Sequence, residues 1–279
     1  MSPASLLFAA LASLLLSLFS AAQTESAIAA GELQLGVNAY KMDHYEDAVQ
    51  HFEKAVDLDG GNLKARLYLA TACTALYIPG VDTPENMQWG EKAIAQYQQV
   101  IDADAEQTSK INSAKAIGSL YQNMKKFDDS RKYYLMASDL DPKDPEPYYS
   151  VGVIDWTACY QPRMDERARL GLKPEQHLNA ESPEQWKVCD DLKATNKASI
   201  EEGIDSLNKA IQLRPDYDDA MAYLNLMYRE QADLDCEDPA ARAEDLRTAD
   251  HWVDETLRVK KQKAEKRKVF EKPRAPSPQ

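Results

Sequence analysis

Residues 111–144 read INSAKAIGSLYQNMKKFDDSRKYYLMASDLDPKD. Gly118 in this stretch stands 34 positions before Gly152, and each glycine lies inside an amphipathic run. A fixed period of that size marks helix pairs that stack on their neighbours, since no single pair can bury its apolar side alone. The register extends outward: Leu35-Gly36, Ile117-Gly118, Val151-Gly152 and Leu224-Asn225 share one place, as does Leu69-Ala70. Downstream of each, a second helix carries a small residue, a large one four further on, and a small one three beyond that. These triplets are Ala48/Phe52/Ala55, Ala93/Tyr97/Val100, Ser130/Tyr134/Ala137, Gly203/Leu207/Ala210 and Ala249/Val253/Thr256. Antiparallel helices with axes about 8–10 Å apart need small side chains at the crossing and large ones beside it. Gly60, Pro142 and Pro215 follow three of the triplets, and a proline past a helix end forbids continuation.

The segments AVDLDGGN (55–62), ASDLDPKD (137–144) and AIQLRPDY (210–217) resemble the close of a tetratricopeptide repeat, and the small-apolar pattern resembles that family's helices A and B. The resemblance spans residues ~29 to ~257 in about five units, approximately 29–62, 63–107, 111–144, 145–217 and 218–257. It implies an all-α, right-handed superhelical solenoid of antiparallel helix pairs, with the A helices lining a concave face. Its packing positions fall on Gly36, Ala48, Ala70, Ala93, Gly118, Gly152, Gly203 and Ala210. Asn225 departs from the helix A glycine, Asp155 stands where Tyr or Ala is usual, and unit five lacks a closing proline. A terminal, capping repeat departs in this way. The family's clamp for a terminal carboxylate needs Lys and Asn where this chain has Leu33, Val37 and Tyr68, so that specialisation is not expected.

Hydrophobic residues at 44% and charged residues at 28% suit a soluble globular chain. Few Val-Ile-Thr alternations occur, which argues against sheet and for one solenoid domain over residues 23–257. Residues 4–22, ASLLFAALASLLLSLFSAA, carry no charge, and their densest apolar run is Leu6 to Phe19. That length fits the core of a secretory leader over residues 1–22 better than a spanning helix of about 20 apolar residues. Ser20 and Ala22 supply small residues for cleavage before Gln23, although no Lys or Arg precedes the run. The alternative is an uncleaved N-terminal anchor. Either places the repeats outside the cytoplasm, in a periplasmic, secreted or membrane-anchored form.

Export changes how Cys73, Cys159, Cys189 and Cys236 read. Cys73 lies at a core-facing helix A position and reads as a small buried hydrophobe. Cys159, Cys189 and Cys236 lie near interrupted connections and are candidates for a disulfide in an oxidising compartment. Cys159–Cys189 would close the unit-four insertion, but straight helices would separate them by about 10 Å of rise. Cys189–Cys236 would join neighbouring units, and the spacing does not choose between them.

The interruptions carry their own signals. Pro79-Gly80 ends a helix, and Thr83-Pro84 starts another over ~84 to ~103. Ser182-Pro183-Glu184-Gln185 has capping-box spacing before a helix from ~183 to ~213, with a loop expected from Arg163 to Leu178. Asp238-Pro239 repeats the device. Such insertions either elaborate a binding surface or are tolerated on an exposed edge. Charge is uneven as well: residues 258–274 hold nine Lys or Arg against Glu265 and Glu271, so the rest of a chain of net −13 is strongly acidic. An acidic body repels nucleic acid and anionic membrane. The basic run reads as the solvated continuation of the last helix, and residues 272–279 as a proline-rich tail.

His44, His51, His177 and His251 form no metal motif; His44 and His51 share a helix face but stand about 10 Å apart by rise. HExxH, P-loop, GxSxG and dinucleotide fingerprints are missing. No catalytic residue, metal, cofactor or small-molecule substrate is therefore expected. The A-helix positions pointing away from helix B include Tyr40, Lys64, Asn112, Lys115, Tyr149 and Trp156. Tyr and Trp offer large rigid surfaces at small entropic cost, which makes Tyr40, Tyr149 and Trp156 the best anchors. These observations lead us to expect an exported, non-catalytic scaffold that binds a protein or peptide in its groove. It would bind no nucleic acid through the repeats, and a membrane only through an uncleaved N-terminal segment. Two other readings stay open: an envelope-tethered adaptor acting mainly through its basic C-terminal tail, and an enzyme built on the inter-helix insertions.

Overall fold

The computed structural model describes residues 24–173, 176–178 and 182–270, and every regular element among them is an α-helix. The expected leader and the proline-rich tail lie outside the described residues. In chain order the helices are α1 (24–41), α2 (Tyr45–Leu58), α3 (Leu63–Leu76), α4 (Pro84–Asp102), α5 (Gln107–Asn123), α6 (Phe127–Leu140), α7 (Pro145–Arg169), α8 (Pro183–Leu213), α9 (Asp218–Leu234) and α10 (Pro239–Phe270). They fall into two compact units, α1–α5 and α6–α10, divided between Lys126 and Phe127.

In the first unit, consecutive helices from α2 to α5 pack on each other. Ala48, Phe52 and Ala55 of α2 are fully buried. The Phe52 ring fills the space where Gly36 of α1 has no Cβ. Ala65, Leu69, Ala70 and Cys73 of α3 face Ala93, Tyr97 and Val100 of α4 in the same core. The loop after α3 is held by one amide: Asn86 accepts from the Ile78 N–H (2.7 Å) and donates to the Ile78 and Val81 carbonyls (2.8 and 2.7 Å). Buried backbone groups need such partners, so this side chain substitutes for the ladder that a longer helix would have supplied. Gly80, at φ +80°, makes the turn.

The helix A to helix B turns of units one and three are built alike. Asp43 and Lys125 adopt left-handed φ values of 60° and 57°. After Asp43, the His44 N–H reaches the Ala39 carbonyl; after Lys125, the Lys126 N–H reaches the Tyr121 carbonyl. This is the six-to-one bond that closes a helix end. Asp43 and Lys125 each stand seven residues after the packing glycine, Gly36 and Gly118, so the repeat is geometric as well as compositional.

In the second unit, α6 packs on α7, α7 on α8, α8 on α9 and α9 on α10, and α7 also meets α9. Leu207 fills the gap at Gly152, and Met227 the gap at Gly203. Three of its helix starts are capped by side chains: Asp144 accepts from the Glu146 N–H, Ser182 from Gln185, and Asp238 from Ala240 and Ala241. Gln185 Oε1 is buried without a partner, so only the serine half of that capping box forms.

The loop expected from Arg163 to Leu178 is corrected here. Helix α7 continues through Pro162 to Arg169. A proline inside a helix forfeits one backbone bond and strains its turn, but Arg163 and Arg167, just beyond it, are clamped by α9. The helix ends instead at Gly171 (φ +70°), where the Leu172 N–H bonds to the Arg167 carbonyl and the Gly171 N–H to Ala168. No helix among the described residues is long and apolar enough to cross a membrane.

A methyl group at Gly152 would collide with the branch carbon of Leu207, not with a free side-chain end. Gly152→Ala is therefore expected to destabilise the chain by about 1–3 kcal/mol, outweighing the ~1 kcal/mol helix-propensity gain. In α1 a methyl at Gly31 would meet no atom within 4 Å, so Gly31→Ala should raise stability by up to ~1 kcal/mol. Urea unfolding of both variants checks the contrast; equal midpoints would refute the crossing argument.

Candidate functional site

Helices α7 and α9 are both A helices, and they run side by side in the same direction. On α7 one face carries Tyr149, Val153, Trp156, Tyr160, Arg163 and Arg167, at spacings of three and four. The facing residues are Tyr217 at the start of α9, then Tyr223, Glu230 and Asp233. Chemistry changes along the seam: its first half is aromatic and its second half ionic.

In the aromatic half, the Tyr149 ring lies 5.0 Å from Tyr217 and 5.8 Å from Tyr223, centroid to centroid. Trp156 meets Tyr223 edge-on at 5.5 Å and Tyr160 at 4.9 Å. Such contacts are worth roughly 0.5–1.5 kcal/mol each beyond area burial. Tyr149, Trp156, Tyr160 and Tyr223 are half-buried, so each keeps part of a ring edge or face in solvent. Tyr217 is buried, donates its hydroxyl to Glu146 (2.7 Å) and lies 4.3 Å beneath the Arg214 guanidinium, which Glu146 also neutralises. Burial pushes the Tyr149 phenol up to about 12, with further pushes from Tyr223, Asp219 and Glu146. The ring is thus neutral at physiological pH. Asp216, next to Tyr217 in sequence, and Asp219, close enough to act on the Tyr149 phenol, are exposed at this end.

In the ionic half, Arg163 grips Glu230 with two bonds (Nε to Oε2, 2.6 Å; Nη2 to Oε1, 2.8 Å) and Asp233 with a third (2.7 Å). Arg167 adds a bond to the same Asp233 oxygen at 3.0 Å. The Arg163 and Glu230 side chains are 9% and 2% exposed, so solvent screens the pair poorly. Burial raises the Glu230 carboxyl, and the bonds from Arg163 pull it back. Buried pairs of this kind add little net stability, but removing one partner strands the other charge.

A second buried carboxyl sits on the opposite side of α7. Asp155 has no exposed side-chain surface, and its Oδ1 accepts from Arg131 Nε (2.8 Å) and Nη2 (2.5 Å). Gly203 gives it room: a Cβ there would lie 3.1 Å from the Asp155 Cβ. Oδ2 finds no partner among the described residues. Burial drives this carboxyl up to about 7, against the pull of Arg131.

The cysteines resolve the open pairing. Cys189 of α8 is bonded to Cys236 in the turn between α9 and α10, with Cα atoms 6.4 Å apart. Cys159, one of the three disulfide candidates, is corrected to a free thiol, buried beside the Asn196 carbonyl. Burial pushes both Cys73 and Cys159 up to about 12, which leaves them unreactive thiols.

Of the surface residues expected from sequence, Tyr40, Lys64, Asn112 and Lys115 lie in the first unit, and Tyr149 and Trp156 in the second. The Tyr40 ring packs against Tyr45 at 5.1 Å. Lys64 is exposed, with its ammonium 5.9 Å above the Tyr68 ring, which stacks on Phe52. On α5, Asn112 is exposed and Lys115 half-buried. Tyr149 and Trp156 are brought together through Tyr223. The packing positions Gly36, Ala48, Ala70, Ala93, Gly118, Gly152, Gly203 and Ala210 are all buried. Sequence reasoning missed Tyr160, Tyr223, Arg163, Arg167, Glu230 and Asp233. Continuing the three-four spacing past Cys159 would have found the α7 members; a loop assigned from Arg163 onward hid it.

Comparison with known proteins adds the following. The tetratricopeptide repeat model matches residues 33–62 and 116–144. The crystal structure of MamA protein is 14% identical, with 89% of this chain and 98% of that chain covered and a TM-score of 0.55. MamA 41-end from Desulfovibrio magneticus RS-1 is 12% identical, with 84% and 96% covered and a TM-score of 0.52. At these identities the likeness is one of fold. No curated protein matches the sequence.

Two outcomes follow from the buried charges. Arg163→Ala is expected to cost about 3–5 kcal/mol in urea unfolding, because buried Glu230 loses both bonds from Arg163 while Asp233 keeps only Arg167 and Arg242; a loss under about 1 kcal/mol would mean the pair is hydrated. The folded chain holds the Asp155 proton up to about pH 7, whereas an unfolded Asp releases it near pH 4. Asp155 therefore contributes stability that is full below pH 4 and declines as the pH rises to 7. Unfolding curves at pH 4–7.5 should show Asp155→Asn less pH-sensitive than the parent; identical slopes would contradict the assignment.

Proposed function

We propose that this chain, two stretches of which match the tetratricopeptide repeat model, is a non-catalytic scaffold, exported to the cell envelope, that holds a protein or peptide against the face formed by its A helices. The observation that carries this reading is the run of half-buried rings Tyr149, Tyr223, Trp156 and Tyr160, flanked by the exposed carboxylates Asp216 and Asp219. Rings already locked by their neighbours lose little entropy when a ligand covers them, and such aromatics dominate binding energy at interfaces. The carboxylates favour a ligand with positive charge beside its apolar anchors. The Cys189–Cys236 disulfide supports export, since such bonds persist in oxidising compartments. The apolar, uncharged run of residues 4–22 supports it from the sequence side.

Peptides selected from a random display library against the full chain test the reading. Trp156→Ala is expected to weaken selected peptides tenfold or more, whereas Leu257→Ser, an exposed position on α10, should leave them unchanged. Ligands indifferent to every ring on this face would refute the binding face. N-terminal sequencing of the exported protein should begin at Gln23; a retained Ser2 would refute leader cleavage.

A further inference from the structure

Helix α1 leaves a row of apolar side chains uncovered. Ile28, Leu35 and Met42 recur every seven positions and are 49%, 49% and 59% exposed. At about 3.6 residues per turn they form one stripe along the helix, with Gly31 beside it. Ala29, Gly36 and Ala39, all buried, lie about a quarter of a turn away. We infer that this stripe docks a second copy of the chain. The two α1 helices pack antiparallel, and Leu35 of each fills the gap at Gly31 of the other. The inference concerns the first unit and stands apart from the peptide-binding face.

Three observations carry it. The first is Gly31 itself. Glycine weakens a helix interior, and Gly36, Gly90, Gly152 and Gly203 are each explained by a neighbouring side chain that fills the gap. At Gly31 an added Cβ would meet nothing within 4 Å. The single chain makes no use of this gap, whereas a helix arriving from outside would approach there as Phe52 approaches Gly36.

Self-complementarity is the second. A twofold axis level with Leu33 sets Gly31 of one helix opposite Leu35 of the other. Along the pair, Met42 of the copy is followed by Ile28 of the first chain, Leu35 of the copy, Leu35 of the first chain, Ile28 of the copy and Met42 of the first chain. The steps between them are about 4.5 and 6 Å of helix rise. No two of these side chains share a height, so they interleave as ridges do in grooves. The stripe matches itself, which is what a twofold interface requires.

The third is charge. The chain has a net charge of −13, so a second copy brings the same acidic surface and is favoured where charge is missing. Ala27, Ile28, Gly31, Leu35, Asn38 and Met42 carry none. Glu32, next to the stripe, is turned to His51 of α2 (2.6 Å), and Gln34 donates to Asn38 along the other border (3.0 Å). One pair of helices about 27 Å long makes an interface below the ~1,200 Å2 of stable complexes, so the dimer should dissociate at roughly 10–100 μM.

Sedimentation of the full chain, in the form isolated from cells, tests this across that range of concentration. The parent should pass from monomer to dimer. Leu35→Glu, where the side chain is half exposed, should weaken the dimer at least about tenfold and leave the urea midpoint of the dilute chain unchanged. Gly31→Ala separates the two states. It should stabilise the dilute monomer, yet its methyl meets Leu35 of the copy and should weaken dimerisation by about threefold or more. Register is read by oxidation. A mixture of Gly31→Cys and Leu35→Cys chains should form a disulfide between the two variants, whereas Met42→Cys alone, about 27 Å from its mate, should not cross-link. A parent that stays monomeric to about 1 mM overturns the proposal, and so does a dimer that Leu35→Glu leaves unchanged. Cross-linking of Met42→Cys to itself would mean parallel helices and overturns the register. A monomeric parent whose capture of another protein depends on Leu35 gives the stripe to a different occupant and overturns the proposal as well.

Discussion

Close approach of paired helices is the constraint on which the rest depends. Where Phe52 meets Gly36, Leu207 meets Gly152 and Met227 meets Gly203, one partner lacks a side chain and the other fills the space. These crossings bring whole helices near enough for their flanking apolar residues to leave water, and at ~25 cal/mol per Å2 that burial is the main favourable term. They also fix rotation about each helix axis. A helix turned by a third of a turn would present a β-carbon where the partner already stands. The outward faces of α1 and α7 therefore point where they do because Gly36 and Gly152 lie against the partner helix.

That rotation decides what meets across the α7–α9 seam. Rings in its first half tolerate small sliding, since offset and edge-on contacts differ little in energy. The arginine–carboxylate grip in its second half does not, because two parallel bonds to Glu230 need one relative height. The ionic half sets the register and the aromatic half accepts it. Asp155 lies across α7 from both, in space that Gly203 leaves open, and buries a carboxyl whose free oxygen is best accommodated as the acid.

Much of this was legible from residue order. Triplets such as Ala48/Phe52/Ala55 announce a crossing because only small side chains fit there, and Thr83, Ser182 and Asp238 announce helix starts because their oxygens satisfy orphan amides. The seam was harder to read. Pro162 reads as a breaker on local grounds, yet tertiary grip on the next residue carries the helix across it. Arg163 and Glu230 are 67 positions apart, and no local rule joins charges at that range. The disulfide partner was open for a related reason: helix rise separates Cys159 from Cys189, but the choice of Cys236 depends on where the α9–α10 turn lands. Tyr149 and Trp156 were legible as outward-facing, but their shared contact with Tyr223 depends on the tilt of the next repeat.

Cys189 and Cys236 stand 47 positions apart, and the stretch between them contains most of α8, all of α9 and the start of the turn beyond. In an array where each repeat leans only on the repeats beside it, unravelling proceeds from whichever end is weakest. A covalent tie near one extremity gives that process a direction. Strain or heat would peel the oxidised molecule from its amino-terminal repeats inward, and the last repeats would be the final holdout. The surface nearest the tie would remain intact while the amino-terminal repeats still flicker, so a ligand seated there would outlast the partial opening of its host.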